Sequence, residues 1–189
     1  MRVNAQRLHE SLRQLAQIGA TPRGGVTRLA LSTEDQSARN LLRRWMEESA
    51  LQVRHDDFGN MTGRRAGARA GGAVVMASHL DSVRQGGRYD GAYGVLAALE
   101  VMRTLNDHGV TTTKPLEIVN WTNEEGVRFE PAMLASGGVA GRFTPDYIYG
   151  RTDREGLRFG DELERIGYKG ERQNRPGPID AYLELHIEQ

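Results

Sequence analysis

The chain begins with apolar side chains that recur every three or four residues, which is the period of a helix buried along one face. Asn4 is suited to cap this helix and Gly19 to end it. A second helix is predicted after Ser32 or Thr33, where Ser-Thr-Glu-Asp-Gln offers two overlapping capping boxes. The apolar positions that we expect to face the core are Leu8, Leu12, Leu15, Ile18, Ala38, Leu41, Leu42, Trp45 and Met46.

Several further segments have the pattern of β-strands. The segment 51–56 alternates, and Phe-Gly-Asn at 58–60 turns the chain into 61–65, which predicts a hairpin. Apolar runs at 73–77 and 116–121 predict two buried strands, with an apolar helix over 95–105 between them, and a last alternating strand follows 175–180. Strands that alternate with helices predict an α/β fold built on a central sheet. His55 lies in the first alternation, and we expect it to face solvent.

Chemically capable side chains follow the two buried strands. The first strand runs directly into His79, with Asp81 two residues later, and the second is followed by Glu124 and Glu125. Ligand sites in open α/β sheets lie at the carboxyl ends of strands. On a strand end Asp81 would share a face with His79 and could orient its imidazole.

A divalent metal ion is the ligand that these side chains suit. Imidazole nitrogen and carboxylate oxygen bind zinc or manganese, and His79, Asp90 and Glu125 supply both ligand types. Because Glu124 adjoins Glu125, one carboxylate could bind metal while its neighbour takes a proton from water. Each residue also has a structural interpretation: Asp90 would suit the cap of the following helix, and adjacent glutamates are often surface charges.

Composition narrows the function classes. Lys and Arg number 25 and so do Asp and Glu, so no basic field attracts nucleic acid or a membrane surface. The absence of cysteine excludes disulfides and thiolate metal sites and suits a reducing compartment. The first ten residues lack the apolar core of a signal peptide, and no apolar run approaches ~18 residues. We therefore expect a cytoplasmic protein of one domain that binds neither nucleic acid nor a membrane.

Four strings in this order resemble one enzyme family. They are Ser-His-Leu-Asp-Ser-Val at 78–83, Gly-Gly-Arg-Tyr-Asp-Gly at 86–91, Trp-Thr-Asn-Glu-Glu-Gly-Val-Arg-Phe at 121–129 and Leu-Glu-Leu-His-Ile-Glu-Gln at 183–189. Together they resemble the amidase/hydantoinase–carbamoylase branch of the dinuclear-zinc aminoacylase and carboxypeptidase superfamily. N-carbamoyl-L-amino-acid hydrolases, allantoate amidohydrolases and β-ureidopropionases belong to that branch.

The resemblance implies a fold and a domain organisation. The fold would be a three-layer αβα, zinc-exopeptidase-like catalytic domain with a mixed, largely parallel central sheet. Residues 1–189 would be its truncated, amino-terminal part, without the lid and dimerisation domain or the carboxyl-terminal part of the catalytic domain. Full-length relatives would be homodimers through that lid, and the family's last metal histidine would lie downstream.

The resemblance also implies a role for each candidate residue. Two divalent ions, zinc or manganese or else cobalt or nickel, would be bridged by Asp90. His79 and His186 would complete the ligands of one ion, and Glu125 would bind the other. The remaining roles would be general base for Glu124, orientation of His79 for Asp81 and a substrate contact for Gln189.

The implied function is a metal-dependent amidohydrolase that cleaves a non-peptide C–N bond of N-carbamoyl-L-amino acids or ureido compounds such as allantoate. One alternative is an aminoacylase or peptidase of the same superfamily, against which His186 speaks because many such relatives have a carboxylate there. Another is a catalytically silent metal-binding fragment. His186 itself falls in phase with Tyr182 and Glu184 and would also suit a hydrogen-bonded core residue.

Overall fold

The computed structural model describes residues 1–187. In chain order its elements are α1 (Ala5–Leu15), α2 (Thr33–Glu48), β1 (Gln52–His55), β2 (Met61–Arg65), β3 (Ala73–His79), α3 (Ala92–Asp107), β4 (Leu116–Trp121), α4 (Leu134–Val139), α5 (Pro145–Tyr149), α6 (Phe159–Arg165), a 3-10 turn (Arg172–Asn174) and β5 (Ile179–Leu183). No helix in this part of the chain is long and apolar enough to cross a membrane.

The five strands form one open, mixed sheet in the order β1-β2-β4-β3-β5. Strand β3 runs parallel to β4 and β5, whereas β2 is antiparallel to β1 and β4. The α/β prediction and the mixed sheet are therefore confirmed, and four of the five strands run in the same direction. The pairing of His79 with Trp121 aligns the carboxyl ends of β3 and β4, where the candidate site residues begin.

The first two helices form as their caps predict. The Asn4 side chain accepts a hydrogen bond from the Arg7 amide at 3.0 Å, and Ser32 accepts one from the Asp35 amide at 3.2 Å. Of the nine predicted core positions, seven are buried, and Ile18 and Leu41 pack partly buried against them. Arg7 joins α1 to α3 by an ion pair with Glu100 at 2.8 Å.

The two faces of the sheet carry cores of different size. The larger core includes α1, α2 and α3, and the smaller gathers Val75, Ala77, Val119 and Trp121. The outer strand β5 differs from this pattern, since every one of its residues is exposed. The exposed large apolar side chains of this region are Ile179, Tyr182, Leu183, Leu185 and Ile187.

His55 is partly buried and not fully exposed to solvent, so that prediction was wrong in part. Its ring lies edge-on to Tyr168, with 4.8 Å between ring centroids, and its Nε2 atom is buried without a hydrogen-bond partner among residues 1–187. Burial lowers the pKa of His55 to about 4. Alternation placed this histidine on the outer face of a hairpin, but the later segment that carries Tyr168 covers that face.

Candidate metal centre

Two histidines and an aspartate converge at the carboxyl edge of the sheet. His79 ends β3 and is fully buried, Asp90 precedes α3, and His186 follows β5. The two Nε2 atoms of His79 and His186 are 3.2 Å apart, and Asp90 Oδ1 lies 3.6 Å from the first and 3.8 Å from the second. These three atoms face one another closely enough to share one metal ion.

The two glutamates approach the same histidine from the end of β4. Glu124 Oε2 lies 3.4 Å from His79 Nε2, and ligand atoms of His79, Glu124 and Glu125 lie within 4.8 Å of one another. The Oε1 atom of Glu125 is buried without a hydrogen-bond partner among the described residues. A buried carboxylate oxygen without a donor is costly unless a cation balances it, so the residues present fit a metal ion.

Asp81 connects the histidine to the glutamates with two different groups. Its backbone carbonyl oxygen lies 2.9 Å from His79 Nδ1, whereas its carboxylate is 3.9 Å from that atom. Since a carbonyl oxygen only accepts, Nδ1 carries a proton, and in the neutral ring Nε2 therefore presents its lone pair to the cluster. The carboxylate instead accepts hydrogen bonds from the backbone amides of Glu124 and Glu125, both at 3.2 Å.

The titratable groups of the cluster shift one another's pKa values. Burial raises the pKa of Glu125 to about 7, although His79 opposes that shift. Burial by itself lowers the pKa of His79, but the Asp81 and Glu124 carboxylates outweigh it, and the net shift is upward. The pKa of the Asp81 carboxyl is raised by complete burial. Anionic groups are thus crowded around one imidazole, as in sites that bind cations.

Two left-handed residues give the site its close packing. Gly91 has a φ of 61°, and a Cβ atom there would meet His79 Cε1 and Nε2 at 2.5 Å. Asn123 has a φ of 56°, and its Nδ2 donates to the Phe129 carbonyl at 2.7 Å. Asparagine tolerates this conformation better than most residues, so the turn that presents Glu124 is stable.

We expect Gly91→Ala to disrupt metal binding by displacing the His79 ring. Gly109 provides a matched control, because its φ is also 61° and no atom lies within 4 Å of the Cβ that it lacks. Both substitutions should lower the free energy of unfolding by about 1–2 kcal/mol through the left-handed backbone. Only Gly91→Ala should also weaken metal affinity, by at least about 10-fold. Denaturant unfolding and a competition titration with a chelator measure the two effects, and equal affinities would contradict this account.

The structure places the sequence-predicted residues as follows. His79, Asp81, Asp90, Glu124, Glu125 and His186 lie together at one edge, and Gln189 lies outside the described residues. Sequence analysis missed two buried arginines behind this edge, Arg28 and Arg39. Arg39 donates to the Gly59 carbonyl at 2.7 Å and to Thr122 Oγ1 at 3.1 Å. The only sequence feature that could have indicated their burial is an arginine among apolar neighbours, as in Thr-Arg-Leu-Ala-Leu at 27–31.

Comparisons with known proteins agree with this geometry. A model of peptidase family M28 matches residues 60–152. An N-carbamoyl-L-amino-acid amidohydrolase of Rhizobium meliloti is 47% identical over all of this chain and 45% of that protein. An allantoate amidohydrolase of Bacillus subtilis is 38% identical over 93% of this chain and 43% of that protein. These named relatives are amidohydrolases that act on C–N bonds other than peptide bonds.

A solved structure extends the likeness to the fold. The crystal structure of a hydantoinase/carbamoylase family amidase from Burkholderia ambifaria superposes with a TM-score of 0.96 at 50% identity, over 98% of this chain and 46% of that chain. The chain spans about half the length of the curated relatives it matches. With this identity maintained along the whole sequence, the chain matches amidases of the hydantoinase/carbamoylase family along about half of their length.

Proposed function

We propose that the protein carrying this chain is a metal-dependent amidohydrolase that cleaves a non-peptide C–N bond of N-carbamoyl-L-amino acids or of ureido compounds such as allantoate. The observation that carries the proposal is the convergence of His79, Asp90 and His186 beside Glu124 and Glu125. The substrate class rests on the names of the relatives, which include both an N-carbamoyl-L-amino-acid amidohydrolase and an allantoate amidohydrolase.

Five side chains would hold two divalent ions or act beside them. His79, Asp90 and His186 would bind one ion, with Asp90 and Glu125 as ligands of the second. Zinc or manganese suits this set of imidazole and carboxylate donors. The chemistry that such ions supply when bound is a lower pKa for water and a polarised substrate carbonyl.

Glu124 is the residue that would move protons. Its side chain is 23% exposed, more than those of His79 and Asp90, so water and substrate can reach its carboxylate. Its Oε2 would accept the proton of the attacking water and return that proton to the leaving nitrogen. Asp81 would keep both partners in place, because it contacts His79 Nδ1 and the Glu124 amide at once.

The match to a peptidase family model supports a second candidate, an aminoacylase or peptidase. The two functions release different products from the same kind of site. Carbamoyl and ureido substrates release ammonia, whereas N-acyl amino acids and peptides release a carboxylate and an amine. The choice therefore lies in the substrate and not in the metal ligands.

The test combines metal content with product analysis. We expect mass spectrometry of the purified protein to find bound divalent metal, and an ammonia assay to detect turnover of an N-carbamoyl-L-amino acid or of allantoate. An N-acetyl amino acid and a dipeptide serve as controls, and their turnover is followed by the release of free amino acid. Turnover of these controls alone would establish the peptidase or aminoacylase function, and absence of bound metal would overturn the proposed metal centre.

A further inference from the structure

Arg28 is a charged residue in the interior next to the metal centre. It is only 1% exposed, in a segment where Val26 pairs with Gly86 on the chain that links β3 to Asp90. Removing a guanidinium from water is costly unless hydrogen-bond partners replace the solvent. A charge enclosed in this way must therefore make specific contacts.

The contacts of Arg28 lie on both sides of Asp81. Its Nε donates to the Leu80 carbonyl oxygen at 2.6 Å, and its backbone amide donates to Ser82 Oγ at 3.0 Å. In return, the Ser82 amide donates to the Arg28 carbonyl at 2.9 Å. Leu80 and Ser82 are the neighbours of Asp81 in sequence, so Arg28 fixes the backbone before and after it.

The other end of the guanidinium is anchored to a helix. Nη1 donates to the carbonyl oxygens of Ile18 at 2.9 Å and Leu15 at 3.3 Å, where α1 ends. A cation is favourable at a helix carboxyl end, because the last carbonyl groups have no partner within the helix. Arg28 therefore ties a packed helix to the segment that carries Asp81.

We propose that Arg28 is a positioning residue of the metal centre, which acts by fixing Leu80 and Ser82 so that Asp81 holds His79 and the two glutamates. The Asp81 carbonyl sets the tautomer and orientation of His79, while its carboxylate holds the backbone of Glu124 and Glu125. Displacement of one backbone segment would therefore misplace both halves of the site. The metal readout of this proposal rests on the proposed function, and the tautomer readout does not.

Lysine cannot replace Arg28 in this role. The contacts require one donor directed at Leu80 and another directed at the end of α1. The rigid fork of a guanidinium provides both directions, whereas an ammonium group is a single point charge on a flexible stem. The Arg28→Lys variant thus keeps the charge and removes the geometry.

The experiment compares Arg28→Lys with Leu42→Ala in the full chain. Leu42 is fully buried in α2 and contributes no group to the metal cluster, so its truncation destabilises the fold without touching Asp81. Long-range ¹H–¹⁵N spectra of the metal-free protein, recorded at a pH where the His79 ring is neutral, report its tautomer, and a chelator competition reports affinity for zinc or manganese. We expect Arg28→Lys to give mixed tautomers and about 10- to 100-fold weaker affinity, whereas Leu42→Ala keeps both wild-type values.

Each outcome decides the proposal. An unchanged tautomer and affinity in Arg28→Lys would overturn it, as would equal losses in Leu42→Ala. If the wild-type protein bound no metal, the proposed function would fail, but the tautomer of His79 would still test Arg28. If Arg28→Lys does not fold, Ser82→Ala removes one contact of Arg28 and should shift the tautomer in the same direction; an unshifted spectrum would then refute the positioning role.

Discussion

Replacement of Glu124 by glutamine should lower kcat by about 10²- to 10⁴-fold while metal stays bound. The amide has nearly the same shape as the carboxylate but cannot accept the proton of water. The group formed by His79, Asp90 and His186 does not include Glu124, so that set of ligands remains intact. Such a loss raises the activation free energy by about 3–5 kcal/mol. Ammonia release and mass-spectrometric metal analysis on the same preparation measure the two properties.

Glu125→Gln is the matched control for this variant. It changes the same side chain one residue later, but Glu125 is the proposed ligand, and its buried Oε1 has no donor in the described part of the chain. We expect this variant to lose metal as well as turnover. A full rate for Glu124→Gln would disprove the base assignment. Loss of metal in Glu124→Gln would instead identify Glu124 as a metal ligand. Its contact with His79 places its carboxylate close enough for that role.

Elements with strong local signals were predictable from the sequence. Strand β4 occupies Leu116–Trp121, the predicted range, and α2 begins after Ser32, one of its two predicted caps. Boundaries without such signals were less accurate. The apolar spacing suggested that the third helix begins at Val95, but it begins at Ala92, because the left-handed Gly91 starts it without any side-chain cap. Backbone conformation at a glycine is not encoded in hydrophobic spacing.

The site was predictable as a set of residues but not as a network. The order of the motifs placed His79 and Glu124 at strand ends, and the sheet register brings those ends together. The division of Asp81 between a carbonyl contact and a carboxylate contact depends on backbone orientation, which no motif specifies. Arg28 shows a second limit of prediction from sequence. Its hydrogen-bond partner, the Leu80 carbonyl group, is separated from it by 52 residues along the chain. Charge patterning predicts exposure for such a residue unless the tertiary structure is known.

Asp90→Ala should remove bound metal and therefore abolish turnover. Asp90 Oδ1 is the carboxylate atom nearest to both His79 and His186 within their group, and the proposed bridging role makes Asp90 a ligand of two ions. We expect metal affinity to fall by more than about 100-fold, beyond the range typical of residues that only support a ligand. Asp90→Asn keeps one ligand oxygen without the charge and should give an intermediate loss. Metal analysis after dialysis measures both.

The competing interpretation is that Asp90 only caps α3. The structure argues against it, because the cap position is Gly91 and no side chain caps that helix. Asn4 is a true cap of α1, so Asn4→Ala is a suitable comparison and should lower the free energy of unfolding by about 1 kcal/mol without loss of metal. Asp90→Ala should show the reverse pattern, with metal lost and stability of the metal-free protein nearly unchanged. If Asp90→Ala instead lost stability and kept its metal, capping would be the role of Asp90 and the shared-ligand assignment would be wrong.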